Sequence, residues 1–397
     1  MKRILFVDDE PKILQGLQRM LRSMRHEWSM EFAIGGQEAL EMLEKSVFDV
    51  VVTDMRMPGM DGSKLLMEVM KKYPGIIRIV LSGQTDQEIF LSSASVVHQF
   101  LSKPCDTESL ITTIARTCAL QDLLKNEELR KLVMQTGTVP SLSELYTEII
   151  GLLKLPNVPI EKIGRIISKD IGMTAKILQL VNSAFYSLRR RISDPAEAAV
   201  ILGLNTIKAL VLSHHMFTQF DQAKTPWFSP NTLWKHSFCT GLYAKQITKI
   251  EGWPAKMTDD ALSAGMLHDL GILALISNLP DDYQRALQLV REKDIPLWQA
   301  EMEVFGGTHA EVGAYLIGLW GITDSIVEAL AFHHAPGKCP VKNFTLVTAV
   351  HVANALGSEG YPEAWGEMQL DYAYIAELGL SERLPVWRES CLASYSH

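Results

Sequence analysis

Cysteine is scarce and unpaired in this chain: Cys105, Cys118, Cys239, Cys339 and Cys391 are an odd set over 397 residues, with no CxxC spacing. That argues against a disulfide framework or a zinc ribbon and for reduced thiols in the cytoplasm. Positive charge is also short. Lysine and arginine number 38 against 46 acids, a formal net charge of -8. Such a balance speaks against a dominant nucleic-acid surface, so no direct DNA contact is expected. No uninterrupted apolar run is long enough to cross a bilayer. The first one, Ile4–Val7, is too short for a signal peptide and ends at once in Asp8-Asp9. A soluble cytoplasmic protein without a membrane partner is expected. There is no internal repeat and no low-complexity tract, so the 47% apolar content is available for the cores of two or three domains.

What is present first is alternation. Ile4–Val7 reads as a buried parallel strand, and helix and strand then take turns: helix Ile13–Met24, strand Met30–Ala33, helix Gln37–Glu44, strand Phe48–Thr53, helix Ser63–Lys72. Strand Ile76–Leu81, helix Asp86–Ser93, strand Val97–Leu101 and helix Thr107–Ala119 complete the series. Five strands separated by helices over about 120 residues predict a doubly wound α/β unit with a five-stranded parallel sheet.

In such a sheet the strand ends face one edge, where ligands bind. Strand one ends in Asp8-Asp9, strand three in Asp54, strand four in Ser82-Gly83 and strand five in Lys103-Pro104. Three carboxylates on one rim repel unless a hard cation sits among them, and Mg²⁺ with oxygen ligands suits them. A hydroxyl and a lysine beside that cation suit a phosphoryl group. Asp54, central in the set and followed by the turn Met57-Pro58-Gly59, is the expected nucleophile. Taken singly, Asp9 could cap a helix, Ser82 could make a turn and Lys103 could be a solvated charge.

As a set, Asp8, Asp9, Asp54, Ser82 and Lys103, with Met57-Pro58-Gly59-Met60-Asp61-Gly62 and Lys103-Pro104, resemble the receiver domain of two-component response regulators over residues 1–122. The resemblance implies phosphorylation of Asp54 by a sensor histidine kinase, Mg²⁺ on Asp8, Asp9 and Asp54, and phosphoryl contacts from Ser82 and Lys103. Phe100 falls at the family's aromatic switch position, and an ordinary core aromatic would read the same way.

Beyond this unit, Leu120, Leu123, Leu124, Leu129 and Leu132 alternate with charges, so the last helix is expected to continue through a linker, residues 123–136. It would dock on its own chain or seam a homodimer. From residue 137 to His397 an all-helical domain is expected. Ser141 and Glu144 form a capping box before Leu142–Leu155. Pro159–Asp170 and Met173–Val181 are amphipathic, and Asp194-Pro195 opens Ala198–Leu212, interrupted at Gly203.

Nine of eleven histidines follow Ser213. His236, His268-Asp269 in an apolar helix Ala264–Leu273, His309 and His333-His334 bring five imidazoles and one carboxylate that could hold one or two ions of Fe, Mn or Zn, with Asn354 a further candidate beside His351 on Thr345–Leu356. Adjacent His and Asp on one helix point about 100° apart, so a shared metal needs ligands from neighbouring helices. A histidine on an apolar helix is more often a hydrogen-bonded core residue, and His214-His215 are assigned to that role or to the surface.

His236, His268-Asp269, His309 and His333-His334 fall in the order of the metal ligands of the HD superfamily, especially its HD-GYP branch that hydrolyses cyclic dinucleotides. Ile272 stands where HD-x-G-K has lysine, Asn354 where the last aspartate would be, and Ala335–Pro340 lacks the GYP signature. Leu180–Tyr186 with Ile192–Leu212 resembles the HDOD domain, an HD-related helical signalling module usually considered to lack hydrolase activity, over about residues 135–335. The implied protein is a response regulator whose helical domain binds a partner protein or nucleotide. The alternative is a metal-dependent phosphohydrolase controlled by the receiver.

Overall fold

The computed structural model describes residues 1–82, 96–124, 160–168, 192–218, 225–319, 322–358 and 370–395, with scattered positions between 126 and 181. The chain divides into two compact units, Met1–Leu142 with Gly318–Gly321 and Ser143–Ile317 with Ile322–His397.

The first unit holds a five-stranded parallel sheet in the order β2-β1-β3-β4-β5. The strands are β1 (Lys2–Asp8), β2 (Trp28–Ile34), β3 (Val50–Asp54), β4 (Ile77–Ser82) and β5 (Gln99–Ser102). Helices α1 (Pro11–Met20), α2 (Gly36–Lys45), α3 (Gly62–Lys72) and α4 (Thr107–Leu123) connect or follow them. The central strands carry continuous apolar runs because helices cover both faces of the sheet. On one face Leu5, Val7, Val51, Met55 and Val80 pack with Leu65, Leu66 and Val69 of α3. Asp61 caps α3, accepting from the Lys64 amide at 2.8 Å, and Asp106 caps α4 through the Ser109 amide at 2.8 Å.

Two helix expectations are corrected. The first helix does not run through Ile13–Met24: it occupies Pro11–Met20, and a short 3₁₀ turn, Arg22–His26, follows around the buried Leu21. The helix expected to continue into the linker stops at Leu123. Leu124 leaves helical geometry with ψ 84°, and the Asn126 side chain accepts from the Leu129 amide at 3.1 Å, starting a new turn. A short polar side chain at that place competes with the intrahelical ladder. The expected helices Asp86–Ser93 and Leu142–Leu155 and the segment Leu180–Tyr186 lie wholly or largely outside the described residues.

Among its described residues the second unit is helical. Its helices are α5 (Ile160–Ile167), α6 (Pro195–Thr218), α7 (Pro230–Ile250), α8 (Ala255–Leu267), α9 (Leu270–Asn278), α10 (Pro280–Lys293) and α11 (Leu297–Phe305). Helices α12 (His309–Leu319), α13 (Asp324–Phe332), α14 (Leu346–Ser358), α15 (Tyr372–Glu377) and α16 (Leu384–Tyr395) follow. Helix α6 breaks at Gly203, whose φ of 77° only glycine adopts without strain. Helices α7 and α8 cross at two glycines: a Cβ on Gly265 would stand 2.6 Å from the Gly241 Cα. By length and mean hydropathy Ala255–Asn278 is apolar enough to cross a membrane, although charged residues interrupt it, and 94% of its most apolar stretch is buried inside the protein. In the helical unit Glu251 anchors the C-terminal helices, accepting from Arg383 Nε at 2.9 Å and from Trp387 Nε1 at 2.8 Å.

Candidate functional site

The parallel register sets the receiver rim. Val7 pairs with Thr53, Asp54 with Leu81 and Ser82 with Ser102, so the next residues along β1 and β5, Asp8 and Lys103, arrive at the same edge as Asp54 and Ser82. The Lys103 ammonium joins two of these carboxylates: it donates to Asp54 Oδ1 and, at 3.1 Å, to Asp8 Oδ2. Burial disfavours its charge, but hydrogen bonds and attraction from Asp54 and Asp8 outweigh that and raise its pKa above the usual lysine value. The remaining oxygens are held by backbone: Asp8 Oδ1 accepts from the Glu10 amide and Asp54 Oδ2 from the Arg56 amide, both at 2.9 Å. Asp9 follows Asp8 at the end of β1 and is half-buried. Ser82 closes β4 and Phe100 lies in β5, and their side chains fall outside the described residues.

Sequence reasoning singled out the turn after Asp54 without seeing what its last glycine does. A Cβ on Gly62 would meet the Asp54 carbonyl oxygen at 2.1 Å, so only glycine lets α3 begin against the strand end that carries the carboxylate. Asp8 is 2% exposed, and the two acids bring oxygen donors alone. That donor set fits a hard divalent cation such as Mg²⁺.

In the helical unit the structure gathers a second cluster around Asp269. His268-Asp269 is not inside a continuous helix: it is the turn between α8 and α9, with Asp269 at φ -100°, ψ 11°. That corrects the expected helix Ala264–Leu273, and it lets the adjacent side chains converge. Asp269 Oδ2 stands 3.1 Å from His268 Nε2 and 3.6 Å from His236 Nε2. Its Oδ1 stands 3.2 Å from His309 Nε2 and 3.6 Å from His333 Nε2. His334 Nε2 lies 2.9 Å from His309 Nε2, and Asn354 Oδ1 lies 2.9 Å from His236 Nε2. Every member of the expected set therefore meets in one place. His214-His215 lie in α6 with side chains outside the described residues. His351 belongs to the scaffold: its Nδ1 donates to the His333 carbonyl at 2.7 Å and its Nε2 accepts from the Asp371 amide at 2.9 Å.

The second nitrogen of three of these rings is spoken for. Nδ1–H of His268 donates to the Gly265 carbonyl and that of His333 to the Leu330 carbonyl, both at 2.7 Å; that of His309 donates to Glu301 Oε2 at 2.6 Å. Such bonds turn Nε2 toward the centre, the usual support for a ligating imidazole. Among the described residues, Asp269 Oδ1, Asp269 Oδ2, His268 Nε2 and His333 Nε2 are deeply buried and have no hydrogen-bond partner of good geometry. A buried carboxylate ringed by bare imidazole nitrogens is costly without a cation. Two groups of donors can each surround one: Asp269, His309, His333 and His334, and His236, His268 and Asp269, the donor atoms within 4.8 Å of one another in each. Imidazole with one carboxylate fits Zn, Fe or Mn.

The electrostatics follow from burial. Desolvation works against the Asp269 charge, yet the surrounding imidazoles, His268 foremost, hold it well below the usual carboxylate range. Desolvation pushes His236 and His333 down to about 4 and His334 well below the ordinary value. His309 goes the other way: burial opposes its charge, but Glu301 and Asp269 raise it to about 10.

Glu301 and Gly271 escaped the sequence reading. Glu301 is fully buried and accepts from the His309 amide at 2.9 Å and from Tyr283 Oη at 3.0 Å, besides His309 Nδ1. A signal was present, since Leu297, Ala300, Glu301 and Phe305 share the buried stripe of α11, where an acid is out of place. Gly271 lets α9 approach α12: a Cβ there would stand 2.0 Å from the His309 carbonyl oxygen.

Two family models match this chain, "Response regulator receiver domain" over residues 4–115 and "HDOD domain" over residues 139–336. The chain joins a response regulator receiver domain to an HDOD domain. Among relatives of this receiver–HDOD protein, an uncharacterized protein of Treponema pallidum is 27% identical over 220 residues, covering 54% of this chain and 41% of that protein. The hydrogenase transcriptional regulatory protein HoxA of Cupriavidus necator is 31% identical over 137 residues, covering 34% of this chain and 28% of its own length. The chain thus spans less than half of either relative. Among solved structures, an HDOD domain protein with unknown function from Geobacter sulfurreducens is 23% identical, covers 65% of this chain and 94% of its own, and superposes with a TM-score of 0.45.

Proposed function

We propose that this response regulator takes a phosphoryl group on Asp54 from a sensor histidine kinase in the cytoplasm and signals through its HDOD domain, which binds a partner protein or nucleotide. The observation that carries this reading is the Lys103 ammonium held between Asp54 and Asp8 at the rim of the sheet. Mg²⁺ would be held by Asp8, Asp9 and Asp54 and would neutralise charge on the transferring group. Lys103, bonded to Asp54 and Asp8, would balance a phosphoryl oxygen, and Ser82, at the end of the adjacent strand, would donate to another. Phosphorylation adds negative charge that these groups must compensate, drawing the segments that carry Ser82 and Phe100 toward Asp54 and biasing a two-state surface. Incubation with acetyl phosphate and Mg²⁺ tests this: the wild-type chain should label at Asp54 and Asp54→Asn should not. Undiminished labelling of the variant would remove Asp54 as acceptor.

One observation favours a second reading of the output domain, a metal-dependent HD-type phosphohydrolase: the unpartnered Asp269 oxygens among bare imidazole nitrogens. Metal binding there is part of our reading, and hydrolysis ranks below partner binding. Ile272, fully buried, offers no cation to a phosphate, and Asn354 brings no charge. Release of cyclic-dinucleotide hydrolysis products by metal-loaded protein, absent in His268→Ala, would reverse that order.

A further inference from the structure

The two halves of the Asp269 cluster are not equivalent. In one, Asp269 Oδ1, His309, His333 and His334 converge, with separations of 3.2 and 3.6 Å from Oδ1 to the first two rings and 2.9 Å between His309 and His334. Nitrogen and oxygen ligands at ordinary bond lengths on one tetrahedral zinc ion stand about 3.3 Å apart, so these three spacings are close to ligand–ligand distances in such a shell, and all four donor atoms lie within 4.8 Å of one another. In the other, Asp269 Oδ2 meets His268 and His236, and the fourth neighbour is the Asn354 amide, 2.9 Å from His236 Nε2. Charge separates the halves further. Among the described residues the carboxylates in the cluster are Asp269 and Glu301, and Glu301 backs His309, through Nδ1 at 2.6 Å. Two negative charges on the His309 side balance one divalent cation. A second dication beside His236 would be buried against a shared carboxylate and a neutral amide, with its repulsion from the first uncompensated.

We propose that this cluster holds a single divalent transition-metal cation, bound by Asp269, His309, His333 and His334 with Glu301 as positioning residue, and that Asn354 leaves the His236–His268 half without one. The inference rests on the metal-binding reading above and narrows it. Four protein ligands fill a tetrahedral shell and leave no open position for water, as in structural rather than catalytic sites. The cation then serves to hold α8, α12 and α13 in register, which suits a domain that signals by its surface.

The test is a count of bound Zn²⁺ in the full-length chain, stripped with chelator and reloaded with excess Mg²⁺ present to occupy the receiver rim. The wild type should retain one equivalent after desalting. His334→Ala should lose it and His236→Ala should keep it. Glu301→Gln should keep the stoichiometry and weaken affinity about 10- to 100-fold. Asn354→Asp should gain a second equivalent, a result that misfolding cannot imitate. Two equivalents in the wild type, or loss in His236→Ala with retention in His334→Ala, would overturn the single-cation assignment while leaving metal binding intact. No bound Zn²⁺ in the wild type would overturn the metal-binding reading itself.

Discussion

The receiver rim and the Asp269 cluster solve one electrostatic problem in opposite ways. Each brings a carboxylate into a place where water is scarce. At the rim, the neutralising charge is a lysine on a neighbouring strand, and its side chain is 29% exposed. An ammonium on a flexible stem can move aside, so anionic and cationic ligands can come and go while the acids stay balanced. Around Asp269 the partners are imidazoles at zero exposure, locked by bonds to Gly265, Leu330 and Glu301. None of these three rings can swing out without breaking a buried bond. The difference teaches that the first site is built for exchange and the second for retention.

Removing the charge from the retained site should have the largest effect. Asp269→Asn removes one of the two carboxylates that hold the His309 charge and should cost about 3–5 kcal/mol of stability, the range for breaking a buried ion pair from one side. Denaturant unfolding of the metal-free protein measures it, and a loss below about 1 kcal/mol would erase the contrast with the rim. Next comes Gly62→Ala. Its Cβ has no room beside the Asp54 carbonyl, so the backbone must shift, at about 1–3 kcal/mol for overpacking. Labelling by acetyl phosphate should slow in the same variant because the strand end carrying Asp54 is displaced.

A smaller change sharpens the idea of exchange. Lys103 competes with Mg²⁺ for Asp8 and Asp54, so Lys103→Gln should bind Mg²⁺ several-fold more tightly by calorimetry, even as phosphoryl transfer weakens. Weaker Mg²⁺ binding would mean the lysine organises the acids instead of competing for them. The smallest effect concerns thiols. Burial raises the Cys239 pKa to about 11 and that of Cys391 to about 12, whereas Cys105 is half-buried and only modestly raised. Iodoacetamide at pH 8 should therefore modify Cys105 first in the folded chain, since the thiolate is the reacting species. Faster modification of Cys239 or Cys391 would show that the helical unit opens readily.

The legibility of the two regions also differs. The rim residues lie at strand ends, and a parallel sheet sends every such end to one edge whatever the connections do. Asp8, Asp54, Ser82 and Lys103 could therefore be grouped from strand order alone. In the helical unit the histidines could be named, but their arrangement depended on where helices break. The turn at His268-Asp269 follows from no proline, and Asp269, although it stands at the N-cap of α9, makes no side-chain cap bond, so the pair reads as helix interior. Glu301 was missed because an isolated acid in an amphipathic segment carries no sign of which face it occupies until the helix has a neighbour.

By itself, then, the order of amino acids determined the alternation of the first unit, the helical character of the second, the residues at the rim and the identity of the histidine set. These follow from local periodicity and strand direction, which neighbouring residues decide. Only the tertiary structure decided that Asp269 faces both sets of imidazoles, that Glu301 stands behind His309, and that Gly62 and Gly271 permit the close approaches on which the sites depend. Those outcomes turn on ångström distances between segments far apart in the chain, set by how helices pack and not by any one of them alone.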